Sequence, residues 1–272
     1  MKDTLRHGDA PAARSLLLTV LGTHVQPSGA PVWTGALVEA LGALGVEEKA
    51  VRQAIGRSAT DGRLDGERVG RRVRFHLSPW TREVLDEGQE RVFQFRPVRQ
   101  DWDGTWLLLI ASVPESSRPL RNRLRTRLAW IGFGPLGQGV WINPDADRQK
   151  GAEAALASLG PAVEASSFLA RHGTIGDANV LVSRAWELPS LRSRYGTFIS
   201  RFETRSPHSP TRTFQAHTEL LHEWRKFPFV DPGLPESLVP REWPGRRAQD
   251  LFDHRHAEWW PIAKDWFDEV NS

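Results

Sequence analysis

Four long side chains that can donate hydrogen bonds lie three or four residues apart in one short stretch: Lys49, Arg52, Gln53 and Arg57. At the helical repeat of 3.6 residues per turn, this spacing places all four on one face. Base edges in the DNA major groove present acceptors such as guanine O6 and N7, and the backbone presents phosphate. The pattern therefore predicts a helix that contacts DNA. The alternative is an amphipathic helix whose polar face is simply solvated.

A basic strand pattern follows in the sequence RLDGERVGRRVRFHLS, residues 63–78. Apolar and charged residues alternate from residue 72 to residue 77, and Gly70 suits a turn, which predicts a β-hairpin. Arg71, Arg72 and Arg74 lie at its turn and on its outer face. Such a hairpin would act as a wing that contacts phosphate or the minor groove beside the helix. Together the two elements favour DNA binding, although winged helices also serve as protein-interaction modules.

Charge is unevenly distributed along the 272 residues. The 36 basic and 33 acidic side chains leave a formal charge of only +3, but residues 49–74 hold eight basic against three acidic ones. A second basic cluster has no acid inside it: Arg118, Arg121, Arg123, Arg125 and Arg127. Residues 250–272 reverse the balance, with six acids and two bases. The small total therefore conceals a basic front half and an acidic end.

Composition excludes several classes of protein. The chain has no cysteine, which excludes disulfides, thiolate nucleophiles and cysteine-ligated metals. The longest apolar run, residues 106–111, is too short to cross a bilayer, and residues 1–11 lack the apolar core of a signal peptide, so we expect a cytoplasmic protein without a membrane partner. Because no Walker loop, Gly-x-Ser-x-Gly elbow or His-Glu-x-x-His motif occurs, we predict no cofactor, no resident metal and no enzymatic activity.

Two weaker motifs favour structural explanations. The string GFGPLG, residues 132–137, matches a dinucleotide-binding glycine pattern, but a predicted helix precedes it and Pro135 interrupts it, so we expect a turn. Asp250, His254 and Glu258 share one helical face, with His256 close by. We interpret these residues as a solvated face with charge pairs at i, i+4 rather than as a metal site.

The elements that would position the basic face are typical of a winged helix-turn-helix. Three helices are predicted, at residues 13–25, 31–44 and 47–61, with Pro31 in the first turn of the second. The hairpin comes next, and a Ser-Pro pair at residues 78–79 starts a connecting helix. We therefore predict a winged helix-turn-helix DNA-binding domain with its connecting helix over residues 13–95.

The remaining sequence completes an α+β multidomain fold. Strands at residues 105–113, 139–143 and 162–170 alternate with helices at residues 118–130 and 147–159. This alternation predicts a central ferredoxin-like α/β domain over residues 100–176. Candidate helices at residues 186–201, 211–227 and 246–270 predict a mostly helical C-terminal domain over residues 177–272, and the Pro- and Gly-rich segment before the last helix must be a structured loop.

One polar cluster in the C-terminal part is open to two interpretations. It consists of His217, His222, Glu223, Trp224, Arg225 and Lys226. An aromatic ring next to cations can hold an acidic, aromatic ligand by stacking and charge. Alternatively, Trp224 belongs to the core and Arg225 pairs with an acid such as Asp231.

Three long stretches carry a family resemblance. They are VEEKAVRQAIGRSATDGRLDGERVGRRVRFHLS, SRPLRNRLRTRLAWIGFGPLGQGVWINP and LLHEWRKFPFVDPGLPESLVPREWPGRRAQDLF. They resemble the PaaX-type transcriptional regulators of phenylacetic acid catabolism, and the last two stretches are the distinctive ones. The likeness extends from about residue 14 to about residue 267.

The resemblance implies a dimeric, DNA-binding transcriptional repressor that responds to phenylacetyl-coenzyme A or a related acyl-CoA effector. It places the recognition helix on Lys49, Arg52, Gln53 and Arg57 and the wing on Arg71, Arg72 and Arg74. It also makes the C-terminal domain the expected effector sensor. No motif locates the effector pocket, and the candidates are Trp186, Tyr195, Arg201, His222, Trp224 and Arg225.

The middle domain also resembles the small ferredoxin-like nuclease subunit of CRISPR systems. In that family an acid ends the first strand, where Ser112 stands in this chain. Without that carboxylate a metal ion lacks its ligand, so we expect a dimerisation or scaffold domain. The alternatives are a metal-dependent nuclease that uses Asp101 or Asp103, an acyl-CoA hydrolase in the C-terminal part, and a winged helix that binds protein instead of DNA.

Overall fold

The computed structural model describes residues 13–98, 102–114 and 116–272 of the chain. Over these residues the fold is mixed α+β, with two small antiparallel sheets. It divides into two compact units, each built from segments that are separate in sequence. The first unit contains the described residues up to Gln94 together with Thr204–Trp224 and Phe252–Ser272, and the second contains Phe95–Glu203 and Arg225–Leu251.

The first unit begins with three helices. They are α1 (Ala13–Val20), α2 (Thr34–Ala43) and α3 (Glu48–Thr60). The prediction of a helix over residues 47–61 is confirmed. The prediction of a helical stretch over residues 13–25 is confirmed as well, with Leu21–Val25 forming a π-helical turn at its end.

The predicted start of the second helix is wrong. Residues 32 and 33 form strand β1 (Val32–Trp33), and Pro31 stands before the strand instead of in the first turn of a helix. Val32 and Trp33 are residue types that favour strands, and both find partners in a sheet. Tertiary pairing therefore overrides the helical spacing of Trp33 and Leu37.

The predicted hairpin is confirmed. Strands β2 (Leu64–Val69) and β3 (Arg72–Leu77) pair antiparallel, and the sheet has the order β1-β3-β2. Gly70 takes the turn with a φ of 62°, a conformation that favours glycine. Phe75 and Leu77 are buried, while Arg74 and His76 beside them are more exposed, as period-two alternation requires.

Helix α4 (Pro79–Gln94) follows, and Ser78 caps its N-terminus by accepting a hydrogen bond from the Thr81 amide at 3.3 Å. Helix α9 (Pro210–Trp224) and the second part of α10 (Gly245–Val270) complete the first unit. Their side chains Phe214 and Phe267 belong to the same core as Leu17 and Leu37. Burial of each such side chain contributes about 1.5–3 kcal/mol, which holds the N-terminal helices and the C-terminal helices in one unit.

The second unit contains a four-stranded sheet covered by helices. Its elements are β4 (Thr105–Ser112), α5 (Arg118–Trp130), β5 (Gly134–Gly137), β6 (Val140–Asn143), α6 (Gln149–Ala157) and β7 (Glu164–Arg171). The strand order is β5-β6-β4-β7 and every neighbouring pair is antiparallel. This β-α-β-β-α-β succession is that of a ferredoxin-like unit.

The string GFGPLG does not form the plain turn that its composition predicts. Gly134 and Pro135 lie in β5 and pair with Ile142 and Trp141 of β6. A Cβ atom at Gly134 would lie 2.5 Å from the Cβ of Ala185, so only glycine allows β5 to approach the helix that ends at Ala185. The glycines here serve packing and strand ends, and no helix starts after them to hold a dinucleotide.

The rest of the second unit is helix and loop. Helices α7 (Ala178–Ala185) and α8 (Leu188–Phe202) precede the first unit's α9, and residues 225–244 form the Pro- and Gly-rich loop with two short 3₁₀ turns, Phe227–Phe229 and Glu236–Leu238. The chain thus returns to the first unit twice, at residues 204–224 and 252–272, and residues 225–251 between these two segments belong to the second unit. None of the described helices is both long and apolar enough to cross a membrane.

Candidate nucleic-acid interface

The exposed face of α3 carries all four predicted donors. Lys49, Arg52, Gln53 and Arg57 are exposed, whereas Val51, Ala54, Ile55 and Ser58 on the opposite face are buried. The Nε atom of Arg52 donates to Glu48 Oε1 at 2.7 Å, and both side chains are more than half exposed. An i, i+4 pair in solvent contributes only about 0.3–0.5 kcal/mol, so Arg52 can exchange this carboxylate for another acceptor at little cost.

The wing, defined as residues 64–77, holds the three predicted arginines Arg71, Arg72 and Arg74 in two different environments. Arg71 and Arg72 are exposed beside the turn. Arg74 is half-buried and donates through Nε and Nη2 to both carboxylate oxygens of Glu67, at 2.7 and 3.0 Å. The Arg74 bond, with help from His76, lowers the pKa of Glu67 to about 2. The charge of Arg74 is therefore balanced within the wing, which a residue-by-residue inspection of the sequence did not show.

Trp33 lies beside these arginines although the sequence pattern assigned it to a helix. The guanidinium carbon of Arg72 is 4.0 Å from the centroid of the Trp33 ring, and that of Arg74 is 5.9 Å from it. A cation over an indole face is held electrostatically, with an energy of about 0.5–1 kcal/mol at an exposed site. Trp33 is thus the site residue that sequence reasoning missed, and the only signal for it is the strand-favouring Val-Trp pair.

A cleft of about 440 Å³ separates α3 from the wing. Its lining includes the exposed residues Arg52, Arg71 and Arg72 and the buried residues Ile55 and Phe75. Long cationic donors therefore surround a concave, partly apolar surface. Such an arrangement suits contact with a phosphate backbone on one side and base edges on the other.

Strand β4 of the middle sheet ends without a carboxylate of its own, although Glu164 of β7 lies opposite Ser112. Ser112 ends β4, as the family resemblance implies. Asp103 lies before the other end of the same strand and accepts hydrogen bonds from the Thr105 amide and hydroxyl, both at 2.8 Å, which lower its pKa. Asp101 lies outside the described residues. Within the described ranges, no group of three or more acidic or histidine side chains is arranged to hold a metal ion.

Comparisons with known proteins match three consecutive parts of the chain. Residues 12–80 match the family model "PaaX-like protein", residues 99–182 match "PaaX protein central Cas2-like domain", and residues 186–269 match "PaaX-like protein C-terminal domain". This chain belongs to the PaaX-type regulator family. Both faces of the candidate interface, α3 and the wing, lie within the first matched PaaX segment.

Individual relatives cover most of the chain. Transcriptional repressor PaaX from Escherichia coli (strain K12) is 29% identical over 248 residues, which cover 87% of this chain and 77% of that protein. Uncharacterized protein Rv0674 from Mycobacterium tuberculosis has a solved structure with a TM-score of 0.65 and 21% identity, covering 94% of this chain and 99% of that one. At this identity the second match shows the fold alone.

Tyr195 is the most deeply buried candidate in the PaaX-like C-terminal segment. Its hydroxyl donates to the Asp231 carboxylate, and its ring lies parallel to that of Phe227 with the centroids 4.3 Å apart. Asp231 also accepts from the Gly233 amide at 2.7 Å. The described partners of Asp231 are thus the Tyr195 hydroxyl and a backbone amide, and the pairing of Arg225 with an acid stays a prediction. Burial raises the pKa of Asp231 to about 7, although both hydrogen bonds act in the opposite direction.

The other candidates of the second unit are Trp186, Arg201 and Arg225, and their described contacts are with other residues. Trp186 is half-buried, and its Nε1 donates to the Gly132 carbonyl at 3.3 Å. Arg201 is exposed, with its guanidinium carbon 5.4 Å from the Phe202 ring centroid. Arg225 is half-buried at the start of the loop. The contacts described for these three residues join none of them to Tyr195.

His222 and Trp224 belong to the first unit. His222 Nδ1 lies 2.9 Å from Thr19 Oγ1, and the Trp224 ring stacks on Phe252 with the centroids 4.6 Å apart. Trp224 is 1% exposed, so it is a core residue, as the second of the two interpretations predicts. The cluster that is continuous in sequence, residues 217–226, is thus divided between the two units.

The first unit also brings together His24, His217 and His256, which the sequence pattern places in separate segments. His217 Nε2 lies 2.9 Å from His256 Nδ1, and the His24 ring stacks on Phe267 with the centroids 4.8 Å apart. Burial, with a smaller effect of Lys264, lowers the pKa of His24 to about 3. Burial also lowers the pKa of His217 well below its usual value, and the neighbouring imidazoles of His24 and His256 add to that effect. These rings are neutral members of the core.

Proposed function

We propose that this chain is a DNA-binding transcriptional repressor whose first unit carries a winged helix-turn-helix. The observation that supports it most is the exposed donor face of α3 lying across a cleft from Arg71 and Arg72 of the wing. The similarity to the Escherichia coli protein named as a transcriptional repressor agrees with this function. The proposal includes no catalytic step.

The geometry favours different roles for the two sets of side chains. Gln53, Arg57 and Lys49 project from α3 without a carboxylate partner among the described residues, and Arg52 has only a solvated one. We assign base-edge contacts in the major groove to this helix. Arg71 and Arg72 would contact phosphate or the minor groove, and Arg74, which is bound to Glu67, would support the wing from within.

Two substitutions test this assignment. Arg52→Ala is expected to lose about 1–3 kcal/mol of discrimination between the operator and a shuffled duplex, because it removes a base contact. Arg72→Ala is expected to weaken binding to both duplexes and to reduce the slope of log affinity against log salt by about 0.9, because it removes one phosphate contact. Fluorescence anisotropy with DNA from upstream of the protein's own gene measures both effects.

Arg148→Ala is the control for these variants, since Arg148 is an exposed, carboxylate-paired arginine of the second unit. It is expected to leave affinity and slope unchanged. If Arg52→Ala and Arg72→Ala behave like this control, the α3 and wing surface is not a DNA interface. A winged helix that binds protein would then be the better explanation.

We further propose a homodimer formed through strand β7. This strand lies at one edge of its sheet and is exposed over nearly all its length, with Phe168 and Leu169 51% and 61% exposed on opposite faces. A long edge strand with exposed apolar side chains is a template for pairing with another chain. A second copy that pairs antiparallel through the same strand would cover both side chains in a closed two-fold arrangement.

Leu169→Lys tests the dimer. We expect the substitution to shift a dimer to monomer in sedimentation equilibrium, with dissociation constants raised at least tenfold, because a buried charge opposes its symmetry mate. Ile175→Lys is the matched control, since Ile175 is 92% exposed and lies outside the strand. An unchanged molecular mass in Leu169→Lys would contradict the proposed interface.

Finally, we propose that residues 13–95 contact DNA, residues 100–176 form the scaffold and residues 177–272 sense an acyl-CoA effector of an aromatic-acid operon, with phenylacetyl-CoA as the first candidate. The residues proposed for the effector are the candidates of the second unit, Trp186, Tyr195, Arg201 and Arg225. Such a ligand would release DNA by binding one of two states more tightly. Thermal-shift measurements with phenylacetyl-CoA, acetyl-CoA and free coenzyme A, followed by DNA titrations with each stabilising compound, test this step.

A further inference from the structure

Asn271 lies just beyond the end of α10 and contacts the start of the DNA-facing sheet. Its Oδ1 accepts a hydrogen bond from the Trp33 backbone amide at 2.9 Å, and its Nδ2 donates to the Pro31 carbonyl at 3.1 Å. In a strand, the carbonyl of one residue and the amide two positions later point to the same side. The side-chain amide of Asn271 therefore pairs with β1 as a neighbouring strand would.

Strand β1 needs this support because it is only two residues long. On its inner side Val32 and Trp33 pair with Phe75 and Arg74 of β3, and the Thr34 hydroxyl donates to the Val73 carbonyl at 2.9 Å. On its outer side the Asn271 side chain satisfies two backbone groups. The backbone that carries the Trp33 ring is thus held from both sides.

The Trp33 ring in turn lies against the wing. The Arg72 guanidinium stacks over it at 4.0 Å, and Arg72 is otherwise exposed in the lining of the cleft. A flexible arginine loses about 2 kcal/mol of rotamer entropy when it is immobilised on a ligand, and a ring that already holds it removes part of that cost.

We infer that Asn271 and Trp33 are positioning residues for DNA binding: Asn271 holds β1, and Trp33 holds Arg72 in the orientation in which it meets a phosphate. This inference rests on the proposed DNA-binding function and adds to it a residue from the far end of the chain. It assigns to α10 a part in the DNA-binding surface besides its part in the core.

The first experiment needs no DNA. The Nε–Hε resonance of Arg72, assigned by its absence in Arg72→Lys, is expected to be displaced upfield by the indole ring current. Trp33→Leu should return it to the range of exposed arginines, Trp33→Phe should leave part of the displacement, and Asn271→Leu should reduce it. Ser272→Ala is the control, because among the described residues its hydroxyl donates to the Glu269 carbonyl and contacts neither β1 nor the wing. An Arg72 resonance that Asn271→Leu leaves unchanged would overturn the inference.

The second experiment is a double-mutant cycle on DNA affinity. Asn271→Leu and Trp33→Leu are each expected to weaken binding about threefold to fivefold in the unchanged background and to have no further effect in Arg72→Gln. Circular dichroism and urea unfolding confirm that the variants compared are folded. Equal losses in both backgrounds would show a merely structural role and overturn the inference.

The two experiments also separate this inference from the proposed function. If the unchanged protein binds no DNA at low salt, the proposed function fails, and the inference fails with it as a statement about DNA. If the protein binds DNA with the expected salt slope but Asn271→Leu has no effect, the function stands and the inference alone is overturned.

Discussion

The two compact units bury opposite kinds of ionisable side chain. The first buries the imidazoles of His24 and His217, whose pKa values are lowered by loss of hydration. The second buries the carboxyl of Asp231, whose pKa is raised to about 7 by the same loss. Burial disfavours the charged form of a base and of an acid alike. Each unit is therefore most stable when its buried group is neutral, which occurs at opposite ends of the pH range.

The direction of each pH effect follows from linkage. The folded-state pKa of His24 lies below its usual 6.5, so the first unit keeps its full stability above that pH and loses stability as the pH falls towards 3. The folded-state pKa of Asp231 lies above its usual 3.8, so the second unit keeps its full stability below that pH and loses stability as the pH rises through about 7.

The largest expected effect is that of Asp231→Asn in the second unit. Asparagine keeps the shape of the side chain and can accept from the Gly233 amide, but it does not ionise. In the unchanged protein the free energy of unfolding of this unit should fall by up to about 4 kcal/mol between pH 4 and pH 8, and in the variant this fall should disappear. Hydrogen–deuterium exchange of peptides from α8 and β7, corrected for intrinsic rates, measures it. A variant that keeps the full pH dependence would contradict the comparison.

A smaller effect of opposite sign is expected for His24→Leu in the first unit. His24 lies against Phe214, Trp260 and Phe267 and close to His217, with Lys264 as the nearest charge that affects it. His24 by itself should cost the unchanged unit about 3 kcal/mol between pH 7 and pH 4. The leucine variant should lack this part of the loss and keep the part that comes from His217.

Hydrogen–deuterium exchange of peptides from α1 and α3 measures this change in the stability of the first unit. His254→Leu is the control, because His254 is an exposed histidine of the same unit. If both variants show the same acid sensitivity, the buried imidazoles do not control the stability of the first unit.

The smallest effect is that of Tyr195→Phe, which sharpens the comparison by removing one partner of Asp231. The hydroxyl bond favours the ionised carboxyl, so its loss should raise the pKa of Asp231 further and destabilise the second unit by about 1–3 kcal/mol at pH 8, and less at pH 5. Thr197→Val, an exposed hydroxyl lost from the same helix, is the control. The pH midpoint of the exchange profile decides the matter, and an unmoved midpoint would contradict the role of the tyrosine.

Much of the first unit's local structure was predictable. Helix α3 and the hairpin follow from apolar periodicities of 3.6 and 2, and the start of α4 follows from the cap of Ser78, because these signals lie within a few residues of one another. Strand β1 and strand β5 were not predictable in this way. Val32–Trp33 and Gly134–Gly137 are too short to show a period, and each becomes a strand only because a partner strand lies beside it.

The candidate site likewise has one part that the sequence predicts and another part that it does not. The donor face of α3 and the arginines of the wing were named from residue type and spacing alone. Three contacts were not predicted: that of Trp33 with Arg72, that of Glu67 with Arg74 and that of Asn271 with β1. The Asn271 contacts join residues that are 238 and 240 positions apart. No local pattern encodes a contact of that separation.

By itself the sequence determined the residue types available for chemistry: arginines without cysteines, a basic front half, an acidic end and the periodicities that form the longer helices and the hairpin. The tertiary structure alone decided which of these charges stay free, which are balanced and which groups become neutral. The physical reason is that hydration, hydrogen bonding and packing depend on neighbours in space. The pKa values of Asp231 and His24 shift only when distant segments bury these side chains, and Arg72 is oriented only when the Trp33 ring lies beside it.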